Sequence, residues 1–166
     1  MAPQRREAEL GVTLASAPIE TDAVIVGAGP VGLFQVFELG LQDIRAHVID
    51  ALPRPGGQPV ELYPGKPIYD IPGLPVCSGA ELVERLRKQM APMRPGIHLG
   101  QMVKRIEPGA DGRFLVETST GLLFNTQTVF IAGGIGAFEP KRLKLDGIDA
   151  WEGRQLHYLL PDAATL

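Results

Sequence analysis

Apolar and polar residues alternate near the beginning of the chain in the order expected for a strand, a helix and a second strand. The run AVIVG at residues 23–27 is typical of a strand buried on both faces of a parallel sheet. From Pro30 onward, apolar residues recur at helical spacing until Gly40 ends the pattern. The run RAHVID at residues 45–50 predicts the next strand, so this segment is a βαβ unit.

The pattern changes after this unit. Residues 51–80 are rich in proline and glycine, which predicts a long irregular loop. The run GAELVERLRKQM at residues 79–90 predicts an amphipathic helix. Strands are then predicted at residues 97–99, 102–106, 114–118, 122–124 and 128–134, the last of which, TVFIAGG, ends in glycines.

A glycine-rich turn joins the first strand to the first helix. Gly27, Gly29 and Gly32 form G-x-G-x-x-G, and Asp50 ends the following strand. This is the context that a dinucleotide fingerprint requires, because the glycines allow a tight turn, close approach of a pyrophosphate and close packing of the helix. A carboxylate at Asp50 accepts hydrogen bonds from ribose hydroxyls and repels the 2′-phosphate of NADP. The remaining candidates for the bound dinucleotide are NAD and FAD, the latter through its ADP half.

The elements after the loop distinguish these two cofactors. An NAD domain continues with alternating strands and helices, whereas here one helix precedes a run of short strands. We therefore predict an α/β fold, a three-layer FAD/NAD(P)-binding (Rossmann-like) domain with a parallel sheet and a small antiparallel β insertion. The predicted boundaries are a flexible leader at 1–20, the FAD-binding domain at 21–150 and the start of a connection to a further domain at 151–166.

Composition excludes several classes of function. The net charge of the 166 residues is −3, which argues against a nucleic-acid partner. Cys77 is the only cysteine, so an intrachain disulfide and a CxxC pair are excluded, and a reducing, cytoplasmic location is expected. No apolar run reaches the ~18 residues of a membrane helix. His47, His98 and His157 follow no metal-ligand spacing, so no metal site is predicted.

Four motifs, VGAGPVGLF, VIDALPRPGGQPVELYPGKPIYDIPG, ELVERL and IAGGIGAFEPKRL, resemble those of the thioredoxin-reductase-like (type 2) ferredoxin–NADP reductases of bacteria. The resemblance covers residues 22–158. The stretch GGQ is shared with thioredoxin reductases, whereas LYPGKPIYDIPG favours the ferredoxin reductase branch. The loop lacks the cysteine pair of disulfide reductases that are similar to glutathione reductase.

The resemblance implies further FAD contacts. It places Val31 against the cofactor phosphates and directs Gln58 and Tyr63 toward the flavin. It also implies that the backbone of Val103 contacts the adenine and that Phe138 lies beside the flavin. Each of these side chains also has a purely structural interpretation as a packing or capping group. The chemistry belongs to the cofactor, so no catalytic side chain is predicted.

The activity implied by the resemblance is electron transfer from NADPH through FAD to ferredoxin or flavodoxin, by a homodimer at full length. No second G-x-G-x-x-G follows Gly136, so we expect the FAD-binding portion of a longer reductase, inactive with NADPH by itself. Two alternatives stay open. One is a disulfide reductase of the thioredoxin-reductase type whose CxxC lies in another domain. The other is a stand-alone FAD- or NAD-binding module without catalysis.

Overall fold

The computed structural model describes residues 17–137 and 142–158. The strands are β1 (Ile19–Val26), β2 (Ala46–Ile49), β3 (Pro67–Ile68), β4 (Cys77–Ser78), β5 (Gly96–His98), β6 (Val103–Pro108), β7 (Phe114–Thr118) and β8 (Leu123–Ile131). The helices are α1 (Pro30–Gly40), α2 (Gln58–Glu61) and α3 (Gly79–Met90), with 3₁₀ turns at Ala91–Met93 and Ile148–Trp151.

Six strands form one mixed sheet in the order β5-β2-β1-β8-β7-β6. Strands β5, β2, β1 and β8 run parallel, and β6 and β7 continue the sheet from β8 in antiparallel pairing. Strands β3 and β4 form a separate antiparallel pair. The predicted α/β fold, with a parallel sheet and an antiparallel insertion, is therefore confirmed.

Two hydrophobic clusters lie against the main sheet. The larger cluster joins the sheet to α1 and α3, and its members include Ile25, Leu33, Val36, Val48 and Val83. The smaller cluster consists of Val24, Ile49, Val116 and Phe124. In the part of the chain that the structure describes, no helix has the length and apolar character needed to cross a membrane.

Helix α3 occupies the predicted residues because its start is encoded locally. The Ser78 side chain accepts from the Glu81 N–H at 3.1 Å, and the Glu81 carboxylate accepts from the Ser78 N–H at 2.7 Å. This reciprocal pair satisfies two backbone donors at the helix start. The same bonds hold the pKa of Glu81 below its ordinary value.

Other elements differ from the prediction. The strands expected at 122–124 and 128–134 are one strand, β8, because β1 pairs with it over nearly its whole length. Residues 51–80 are not entirely irregular, since they contain α2, β3 and β4. Strand β1 begins at Ile19, four residues before the strand that we predicted at residues 23–27.

Candidate functional site

A cavity of about 380 Å³ lies at the carboxyl ends of the parallel strands. It opens where β1 leads to β2 on one side while β8 lies on the other, and such a crevice is where ligands bind in open α/β sheets. The lining comes from four parts of the chain: Val26, Gly27, Gly29, Pro30 and Val31; Ile49, Asp50, Ala51, Gly57, Gln58, Pro59 and Tyr63; Gln101, Met102 and Val103; and Ala132, Gly133, Gly134, Ile135, Gly136 and Ala137.

The glycine turn packs backbone against backbone. Gly27 has a φ of +109°, and a Cβ there would overlap the carbonyl oxygen of Ala132. A Cβ at Gly32 would overlap the carbonyl oxygen of Gly27, so α1 lies directly on the turn. Gly29 differs, because its Cβ would meet only the Cα of Gly57, at 4.0 Å. Gly29 therefore leaves space at the cavity, while Gly27 and Gly32 keep the turn in shape.

Helix α1 presents its N-terminus to the cavity. Gly29 is the N-cap, Pro30 is the first helical residue, and the first intrahelical bond runs from the Leu33 N–H to the Gly29 carbonyl oxygen at 2.9 Å. The N–H groups of Val31 and Gly32 precede that bond and so have no intrahelical acceptor. Together with the helix dipole, they make a site suited to an anion.

The carboxylate of Asp50 joins the glycine turn to the loop after β2. Its Oδ2 accepts from the Ala28 N–H at 2.5 Å, and its Oδ1 accepts from the Leu52 N–H at 2.8 Å. Its backbone N–H donates to the His98 carbonyl at 2.9 Å, and its carbonyl accepts from the Gln101 N–H at 3.0 Å. Asp50 therefore has a structural role that the sequence did not reveal. Each carboxylate oxygen retains a lone pair for a ligand.

Gln58 and Tyr63 reach the cavity from the loop of residues 51–80. The Gln58 Nε2 lies 3.3 Å from the position that a Cβ would take at Gly134. Tyr63 is half-buried, and the Lys66 Nζ lies 5.6 Å from the centroid of its ring. The Gly56 N–H donates to the Ala28 carbonyl at 2.9 Å, which fastens this loop to the glycine turn.

The structure brings the predicted residues together. Of those within the described ranges, all but Gly32 line the cavity, and Gly32 lies behind the turn. Phe138 lies outside the described residues. Sequence reasoning did not single out Gln101, Met102 and Gly57, which also line the cavity. The segment 132–137 also lines the cavity, and the glycines that end TVFIAGG are the signal by which it could have been found.

Two histidines lie next to each other on the neighbouring strands β2 and β5. The His47 Nδ1 lies 2.9 Å from the His98 Nε2, and both rings contact Phe124 with centroids 5.4 Å and 5.0 Å away. Burial lowers the pKa of His47, with the neighbouring His98 and Arg45 adding to the effect, and burial also lowers the pKa of His98. In residues 17–137 and 142–158, no group of three or more His, Cys, Asp or Glu could hold a metal ion.

The sequence is similar to curated proteins. Ferredoxin–NADP reductase from Polaromonas naphthalenivorans is 58% identical over 165 residues, which are 99% of this chain and 45% of that protein. Ferredoxin–NADP reductase from Methylibium petroleiphilum is 63% identical over 141 residues, 85% of this chain and 38% of that protein. The chain resembles ferredoxin–NADP reductases. It spans less than half the length of these relatives. No protein-family model matches it.

Solved structures share the fold at lower identity. Thioredoxin reductase from Streptococcus pyogenes superposes with a TM-score of 0.63 and 23% identity, over 81% of this chain and 41% of that one. Cyclohexanone monooxygenase from Rhodococcus sp. Phi1, solved with NADP⁺ bound, gives a TM-score of 0.62 and 21% identity, over 78% of this chain and 28% of that one. These likenesses support the α/β fold described above.

Proposed function

We propose that the chain is the FAD-binding part of a flavoprotein that passes electrons from NADPH to ferredoxin or flavodoxin. The observation that carries the proposal is the cavity, in which a glycine turn and a helix N-terminus lie beside the carboxylate of Asp50. The similarity to ferredoxin–NADP reductases supports the choice of reaction. That activity belongs to the longer relatives as a whole, and this chain supplies the site for FAD.

The residues of the cavity fit an adenine dinucleotide. A Cβ at Gly133 would meet no heavy atom within 4 Å, and one at Gly29 would meet only Gly57, so a ligand can approach the backbone at both places. The N–H groups at the start of α1 would bind the pyrophosphate. Asp50 would accept from the ribose through its remaining lone pairs.

Bound FAD would supply the hydride-accepting and one-electron chemistry. The chain's own residues would bind and orient it: α1 and Asp50 would hold the ADP half, and Gln58 and Tyr63, which line the cavity, would contact the flavin. Among the described residues that line the cavity, Asp50 and Tyr63 are the only ionisable side chains. A site without an acid–base pair suits chemistry that is carried by the cofactor.

Retention of FAD is the first test. The chain is mixed with FAD and desalted, and the absorption near ~450 nm that reports bound flavin is measured. We expect the flavin to stay with the protein. Asp50→Ala should weaken binding by about tenfold or more, because hydrogen bonds to a charged group are lost. Asp22→Ala is the matched control, since Asp22 also accepts a backbone N–H, from Arg45 at 3.2 Å, but lies outside the cavity.

Retention of NAD in place of FAD would overturn the FAD assignment. Equal loss of FAD by both aspartate variants would show that Asp50 acts only on the fold. The acceptor is tested separately, by mixing the photoreduced, FAD-loaded chain with oxidised ferredoxin or flavodoxin. Electrons should transfer to these proteins, and absence of transfer to both would contradict the proposed acceptors.

A homodimer and a cytoplasmic location are proposed for the longer protein, from the same resemblance. Sedimentation of a purified protein as long as the curated relatives measures the oligomeric state. A mass near that of one protomer would contradict the homodimer. Cell fractionation measures the second, and recovery of the protein outside the cytoplasm would contradict it.

A further inference from the structure

The turn between β7 and β8 is fastened to one wall of the cavity. The Ser119 N–H donates to the Met102 carbonyl at 2.7 Å, and the Met102 N–H donates to the Ser119 Oγ at 3.0 Å. Beside this pair, the Thr120 hydroxyl donates to the Gln101 Oε1 at 2.9 Å. Gln101 and Met102 line the cavity, whereas Ser119 and Thr120 do not. A hairpin turn thus fixes part of a wall that it does not itself form.

A chain of hydrogen bonds leads to Gln101, and each group in it donates to the next. The Leu122 N–H donates to the Thr118 Oγ1 at 3.1 Å, and the Thr118 Oγ1 lies 3.0 Å from the Thr120 Oγ1. Thr118 is 1% exposed, so its hydroxyl proton needs an acceptor inside the protein, and the Thr120 Oγ1 supplies one. Thr120 then directs its own proton to Gln101. The order of donors is Leu122, Thr118, Thr120, ending at the Gln101 Oε1.

This direction determines what Gln101 can recognise. Its amide oxygen is engaged by Thr120, so the –NH₂ group is left as a donor on a residue that lines the cavity. The Gln101 N–H also donates to the Asp50 carbonyl at 3.0 Å, which places Gln101 beside the carboxylate that we assign to the ribose. The nucleoside end of a dinucleotide would lie here.

We propose that the Gln101 amide donates to a ring nitrogen of the purine and that Thr120 is a positioning residue that orients it. The inference rests on the proposed function, since it needs a nucleotide in the cavity. A purine ring contains nitrogen atoms that accept hydrogen bonds, and the –NH₂ group of Gln101 can donate to one of them.

Binding of FAD and of ADP to four variants tests the proposal. Gln101→Leu should bind each nucleotide about threefold to tenfold more weakly, as expected for one neutral hydrogen bond. Gln101→Glu keeps the size of the side chain and an acceptor for Thr120 but removes the donor, so it should weaken binding at least as much. Thr120→Val should weaken binding less, and Thr120→Ser should restore it.

A double-variant cycle separates positioning from a general structural role. In the Gln101→Leu background, Thr120→Val should cause no additional loss, because the residue that it orients is gone. An additional loss of the same size as in the unsubstituted chain would overturn the positioning role. Denaturant midpoints of all variants confirm that each is folded when binding is measured.

ADP analogues with carbon in place of N1, N3 or N7 identify the acceptor. One analogue should bind equally to the unsubstituted chain and to Gln101→Leu. If Gln101→Leu weakens every analogue alike, or binds ADP as tightly as the unsubstituted chain, the proposal is wrong while the FAD site stands. If the unsubstituted chain binds neither FAD nor ADP, the proposed function fails and this inference fails with it.

Discussion

The two walls of the cavity are held in shape by different contacts. The glycine wall consists of Gly27, Gly29 and Gly57, which line the cavity, with Gly32 behind the turn. Backbone packs directly on backbone at Gly27 and Gly32, whereas Gly29 leaves space at the cavity. The Asp50 wall consists of Asp50, Gln101 and Met102, which are joined to the rest of the fold by hydrogen bonds with Ala28, Leu52, Ser119 and Thr120.

This difference determines how each wall responds to change. Backbone packed on backbone has no flexible end that can move, so one added methyl group forces a displacement. A hydrogen-bonded wall loses its contacts one at a time, each with a modest effect on the free energy of unfolding. A single substitution in the glycine wall should therefore cause a large loss of stability, whereas a single substitution in the Asp50 wall should cause a small one.

Gly32→Ala should have the largest effect. The new Cβ would overlap the Gly27 carbonyl oxygen, so we expect the free energy of unfolding to fall by about 3 kcal/mol, together with loss of FAD. Gly29→Ala is the contrasting variant, because its φ is −72° and its Cβ meets only Gly57. It should fold normally in denaturant titrations and still lose FAD. Normal FAD binding by Gly29→Ala would show that no ligand approaches this backbone.

Gly57→Ala should be the next most damaging. Gly57 has a φ of +59° and a ψ of −147°, a backbone region that is essentially restricted to glycine and costs an alanine about 1–3 kcal/mol, and the Cβ would lie 3.1 Å from the Gly29 Cα. The loop that carries Gln58 should then move away from the glycine turn, and FAD binding should weaken. Gly65→Ala in the same loop is the control, since its Cβ meets nothing within 4 Å. Equal effects of the two substitutions would exclude the contact with Gly29 as the cause.

The histidine pair should make the free energy of unfolding depend on pH. Burial lowers the pKa of both His47 and His98 from 6.5, so the folded protein favours the neutral rings while the unfolded chain takes up protons near that value. The stabilisation is therefore complete above about pH 6.5 and is lost as the pH falls toward the folded pKa values.

The measurement is the free energy of unfolding from about pH 7.5 to about pH 5.5. The double variant His47→Phe/His98→Phe should lose less stability over this range than the unsubstituted chain does. His157→Phe is the control, because His157 lies on an exposed segment away from the pair. Identical pH dependence of the double variant and the unsubstituted chain would contradict the prediction.

Ser119→Ala should have the smallest effect. It removes the bond from the Met102 N–H but keeps the Ser119 N–H bond to the Met102 carbonyl, and both groups are exposed to water. We expect a loss of about 0.5 kcal/mol in the free energy of unfolding and a decrease in FAD affinity of about twofold. A loss as large as that of Gly57→Ala would mean that the two walls do not differ in the way described.

The elements that were predicted from sequence are those encoded by near neighbours. Helix α3 follows from its apolar spacing and from Ser78 and Glu81, and the strand–turn–helix around Gly29 follows from the glycine spacing. Strand β8 was divided in the prediction because Asn125 and Gln127 interrupt its apolar pattern. The pairing with β1 that makes it one strand involves residues about a hundred positions away.

The order of strands and helices, the glycine turn, the place of Asp50 and the resemblance to ferredoxin reductases all followed from the sequence alone. The hydrogen-bond partners of side chains that are far apart in the chain became visible only in the folded structure. His47 and His98 looked scattered at 51 residues apart, and Thr120 reaches Gln101 across 19 residues. Local patterns report burial and backbone conformation, whereas a hydrogen bond between distant side chains exists only once the strands that carry them are paired.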